Sequence, residues 1–197
     1  MRNSFQDYGK KKVEENRIRA AYHEAAHIVI AEQLEQGIHI DAWIDDDGNG
    51  WSHPMFSPNT QRDAMFDVGT AGFLGEAKGV YGELSTDQAH TRAMAVQVHR
   101  HLRGEDPVGP RGEFQVDVFL KDGSQKPAGT NMDDFHFVLS EMKNRVVSFA
   151  SHFWLTNLVN DIQNGIGDCL QRFGQEDVWQ DVAAKAKKLK DDGRLSC

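Results

Sequence analysis

Cysteine is scarce in this sequence: Cys169 and Cys197 are the only two, too few for a disulfide framework and without a CxxC pair for a metal knuckle. A reducing compartment, the cytoplasm, is the expectation. Long apolar runs are also missing. No stretch approaches the ~20 apolar residues that span a bilayer, and Met1-Arg-Asn-Ser-Phe-Gln-Asp has no apolar core of signal-peptide length, so no membrane span is expected. Positive charge is in deficit, with 22 Lys and Arg against 30 Asp and Glu. The resulting formal charge of −8 argues against nucleic acid as a partner. No GxxxxGK[ST] loop is present, so the chain carries no P-loop ATPase.

What the sequence does hold is Ala21-Tyr22-His23-Glu24-Ala25-Ala26-His27, an HExxH motif inside a helix-forming run. Histidines four residues apart leave the same helix face one turn apart, where both can bind one metal ion. Glu24 projects to one side of the pair. It can stay out of the coordination shell and serve as general base toward an activated water. Apolar residues surround the pair on nearly every side, Ile18, Ala25, Val29, Ile30 and Leu34 among them, which predicts a buried helix. Buried imidazoles need partners, and a metal ion at one nitrogen with an acceptor at the other meets that need. Two core histidines that merely hydrogen-bond are the bland alternative.

The pattern predicts a helix from about Asp7 to Gln36, stopped by Gly37. Alternation over 38–45, a turn at Asp46–Gly50 and a return over 51–56 predict a β-hairpin. The turn spaces Asp45, Asp47 and Asn49 like half a calcium loop, but Phe56 stands where a bidentate Glu is required, so a polar hairpin tip is expected. A helix starting at Asn59 or Thr60 carries Gly69, Gly72 and Gly75, a spacing that suggests a face pressed against the histidine helix. Ser85 and Gln88 form a capping-box pattern for a helix running to about Leu102. Asp87 falls in its first turn, either as a metal ligand or as a simple complement to the helix dipole. Residues 104–131 form a Gly- and Pro-containing connection with one strand-like piece, Phe114 to Leu120, expected to edge the site or to extend the hairpin. Asp133 or Asp134 is expected to cap a long helix through Phe135, Val138, Leu139, Met142, Val146, Phe149 and Phe153. Asn164-Gly165-Ile-Gly167 should break it, leaving shorter helices around Leu170 and from about Asp177 to Leu189.

In order, these motifs resemble the zinc peptidase domain of FtsH-type AAA proteases over roughly residues 17–103. The AYHEAGHA-like helix of that family is matched at residues 21–27, except that Ala26 replaces its Gly. The resemblance implies a mainly α single domain, 1–197, with a small β-hairpin beside the HExxH helix: a metal-site core at 17–103, the connection at 104–131 and C-terminal helices at 132–190. It also implies Zn²⁺ held by His23, His27 and Asp87, with Glu24 as catalytic base in a metalloendopeptidase that needs no ATP in this chain. Thr91 stands where the family's third-ligand helix has its first Ala, and His90 and Glu76 are rival third ligands. A polypeptide is the expected substrate, with a separate ATPase or a second copy as further partner. The alternative is a non-catalytic scaffold or regulatory subunit binding a protein partner, for which a closed shell with His90 or His53 as fourth ligand would speak.

Overall fold

In the computed structural model, residues 3–34, 39–56, 60–136, 140 and 151–196 are described. The fold is mainly helical with a small antiparallel sheet. Helix α1 (Asn3–Gln33) changes character along its length. Residues 9–16 are largely polar and exposed, whereas the run Ala21 to Ala31 is buried except for half-buried Tyr22. The expected stop at Gly37 lies outside the described residues.

Strands β1 (His39–Ile44) and β2 (Gly50–Met55) pair as the expected hairpin, with Trp43 opposite Trp51 and their indoles stacked at 6.2 Å. Its tip is polar and internally bonded: Asp45 Oδ1 accepts from the backbone N–H groups of Asp47 and Asn49, and Oδ2 accepts from the Asn49 amide. Gly48, at φ +83°, presses on α1, since a Cβ there would stand 2.7 Å from the Cβ of Asn16. That position needs glycine for both reasons.

Helix α2 (Arg62–Tyr81) starts after an extended Gln61, two residues later than the sequence suggests. Gly69 lies against Asp134 and Phe135 of the later 3₁₀ turn, and the other glycines press on α1. A Cβ at Gly72 would run into Nε2 of both His23 and His27, one at Gly75 into the Cβ of Ala26, and one at Gly79 into the Tyr22 ring. Ala26 of α1 is fully buried, and Gly75 of α2 leaves the room that its methyl group fills.

Helix α3 (Gln88–Leu102) ends where expected, but its N-cap is Asp87, not Ser85. The Ser85 hydroxyl instead pairs with His90 Nδ1 at 2.7 Å. The 104–131 connection holds two strands, β3 (Glu113–Phe119) and β4 (Gln125–Asn131), which form a separate ribbon and do not extend the hairpin. Along β3 the alternating Phe114, Val116 and Val118 face inward. A 3₁₀ turn, Met132–Phe135, follows, capped by Asn131 and not by an aspartate. Of the long helix expected next, residues 137–139 and 141–150 lie outside the described residues.

Helix α4 (Ser151–Phe173) runs straight through Asn164-Gly165-Ile-Gly167, where a break was expected. Gly165 is there for contact: a Cβ would stand 2.9 Å from the Phe66 carbonyl on α2. Helix α5 (Glu176–Asp192) ends on Gly193 at φ +76°, and β5 (Arg194–Ser196) adds to β1. The three-stranded sheet has the order β2-β1-β5, so β2 is an open edge. Among the described residues no helix is long and apolar enough to cross a membrane.

Candidate metal centre

His23 and His27 lie on the buried half of α1 with their Nε2 atoms 3.1 Å apart. His27 is oriented from behind, because its Nδ1–H donates to the Val68 carbonyl of α2 at 2.6 Å, which turns Nε2 toward His23 and Asp134. His23 Nδ1 stands 3.9 Å from Glu76 Oε2. The third member of the group is Asp134, from the 3₁₀ turn after β4. Its Oδ2 lies 3.4 Å from His23 Nε2 and its Oδ1 3.6 Å from His27 Nε2. Together His23, His27 and Asp134 can hold a metal ion. Donors bound tetrahedrally at ~2.1 Å to one ion stand about 3.4 Å apart; the two Nε2 atoms come close to that, and one ligand atom from each of the three residues lies within 4.8 Å of the others.

The electrostatics match that donor set. Burial opposes ionisation of Asp134, yet hydrogen bonds and charge from His23 and His27 outweigh it and hold the carboxyl well below its ordinary range. Burial likewise disfavours the charged form of His23, but the Asp134 carboxylate beside it prevails and lifts the pKa to about 9.

Glu24 is 4% exposed and sits under β2. A Cβ at Gly50 would stand 2.6 Å from Glu24 Oε1, and the Ser52 side chain hydrogen-bonds the carboxylate. Oε2 is buried without a hydrogen-bond partner. Burial pushes the Glu24 carboxyl up, with the two imidazoles pulling the other way. An unpartnered carboxylate oxygen beside a metal-ligand trio is costly as structure and is the arrangement a general base needs.

Asp87 is not part of this group. It is exposed, and its carboxylate accepts from the N–H groups of Ala89 and His90 as the cap of α3. Of the rival ligands, His90 is stacked on Phe119 at 4.3 Å and bonded to Ser85. Glu76 faces the other ring nitrogen of His23 and is paired with Arg19 at 2.8 Å. The side chain of His53, on β2, lies outside the described ones. The sequence signal for Asp134 is its capping box: Asn131 accepts from the helix turn while Asp134 accepts from the Asn131 N–H. That pattern marks a fixed carboxylate, but nothing in its spacing says that the chain returns to α1.

A cleft of ≈ 1040 Å³ opens on the site, bounded by His23 and Glu24 below, Gly50 to Ser52 of the hairpin on one side and Gly129 to Asn131 of the ribbon on another. The 104–131 connection thus edges the site. Compared with known proteins, the chain matches no family model and no curated protein.

Proposed function

We propose that this protein is a zinc-dependent peptide hydrolase, with His23, His27 and Asp134 as the metal ligands and Glu24 as general base. The observation that carries the reading is the gathering of His23, His27 and Asp134 into one possible metal-ligand group beside the unpartnered Oε2 of Glu24, with His23, Glu24 and Asp134 lining the cleft. Among the described residues the group has three members, which is the open set that catalytic zinc sites use, whereas structural sites close with a fourth. When bound, zinc supplies Lewis acidity, making water a nucleophile near neutral pH and polarising a peptide carbonyl.

Glu24 accepts the proton of the attacking water at a carboxylate oxygen and returns it to the departing amine. Its raised pKa suits a group that must both take and give the proton. Gly50 and Ser52 hold it from above. The β2 edge beside it offers unpaired backbone groups, so an extended polypeptide can pair there and present its carbonyls along the cleft. No nucleotide is required for this step, although folded substrates would need a separate unfolding partner.

The test is zinc content and peptidase activity together. The purified chain is expected to carry about one zinc and to cleave casein. Glu24→Gln is expected to keep the metal and to lose on the order of 10²- to 10⁴-fold in rate. A zinc-loaded Glu24→Gln protein that cleaves like the parent would overturn the mechanism. A folded parent that takes up no zinc would leave a binding scaffold.

A further inference from the structure

The third ligand reaches the site from a ribbon that has its own anchorage. Gly129 of β4 donates its N–H to Glu76 Oε2 on α2 at 3.2 Å, and the Pro127 carbonyl, two residues earlier, accepts from the Tyr81 hydroxyl at 3.0 Å. Both α2 side chains are held by one residue of α1. Arg19 donates to Glu76 Oε1 at 2.8 Å and to the Tyr81 oxygen at 2.5 Å, with its guanidinium 5.2 Å from the Tyr81 ring centre. Arg19 lies one turn before His23 on the same helix. Immediately past the anchored Gly129, the chain turns its next two residues onto the ligand itself: Thr130 donates its hydroxyl to Asp134 Oδ2 at 2.7 Å, and Asn131 donates its N–H to the same oxygen at 2.9 Å.

We infer that Arg19, Glu76, Tyr81 and Thr130 are positioning residues for the metal site, fixing the Asp134 carboxylate relative to the two histidines through β4. This rests on the metal reading above. Glu76 is buried, and its two carboxylate oxygens are divided between α1 and β4, so it transmits the position of the histidine helix to the ribbon. The Thr130 hydroxyl and the Asn131 N–H occupy one oxygen of Asp134 and thereby fix which way the carboxylate faces. Neither Arg19 nor Tyr81 belongs to the metal group, so their effect on it passes through others.

The test uses the full chain and zinc alone, with affinity read by competition against a chromophoric chelator and ligand geometry by the visible spectrum of the Co²⁺-loaded protein. Thr130→Val and Tyr81→Phe are expected to weaken zinc binding by roughly 10- to 100-fold, with an altered Co²⁺ spectrum and with far-ultraviolet circular dichroism unchanged. Thr130→Ser, which restores the hydroxyl, should recover most of the affinity. Arg100→Ala, which removes the exposed Arg100–Asp106 pair, should leave both readouts alone. If the parent and these variants share one zinc affinity and one Co²⁺ spectrum while Asp134→Ala loses the metal, the metal site stands and the positioning role is overturned. A parent that binds no zinc overturns both.

Discussion

At the scale of single residues, two aspartates exchange the roles that the pattern suggests. Asp87 stands at the start of a helix, where the pattern suggests a ligand, but it serves as the N-cap, its Oδ1 accepting from Ala89 and His90. Asp134 has the same local grammar and faces the imidazoles. Asp134→Ala is therefore expected to abolish stoichiometric zinc binding, measured by elemental analysis. Asp87→Ala should keep the metal and lose a helix cap, about 1 kcal/mol, seen as a fall in Tm of roughly 2–4 °C. A third aspartate carries the pH dependence. Burial, with the neighbouring Asp168 charge, pushes the Asp67 carboxyl up to about 7 against the pull of Arg172, and its Oδ1 has no hydrogen-bond partner. Because the folded value lies above the ordinary 3.8, the fold favours the neutral acid. Stability is then greatest below about pH 4 for this group and declines as pH rises toward 7. Asp67→Asn should raise Tm at pH 8 by more than at pH 5.5. An equal change at both would refute that account.

At the scale of elements, the histidine helix, the hairpin and the glycine face of α2 were legible because each rests on local periodicity or on steric need. Gly72 and Gly75 read correctly as a close-approach face toward α1, whereas Gly69 lies against Asp134 and Phe135 of the 3₁₀ turn. Gly165 carries the same letter and misled, because a glycine that breaks a helix and one that admits a neighbour look alike until the neighbour is known. The ligand from the β4 turn was illegible for a related reason: which loop returns to α1 is decided by the ribbon's anchorage on α2. The Ala26–Gly75 contact gives a direct test of the helix seam. Gly75→Ala should overpack it and cost about 1–3 kcal/mol in chemical denaturation. Adding Ala26→Gly moves the space to the other helix and should recover much of that loss, and an additive double variant would show that the two positions are not coupled.

On the scale of the whole molecule, the metal group joins the first helix to a segment more than a hundred residues later, across α2 and the ribbon. The hairpin beside it is covered on one side only. With β5 seated on β1, the outer strands of the sheet are β2 and the three-residue β5, so β2 is its longer edge. Pro54, within β2, has no N–H to offer, so the usable length of that edge lies toward Gly50, over Glu24. The edge that can receive an unfolded chain is thus blunted at one end by a residue that cannot donate, which shortens the run over which any strand, guest or copy, can extend its pairing there.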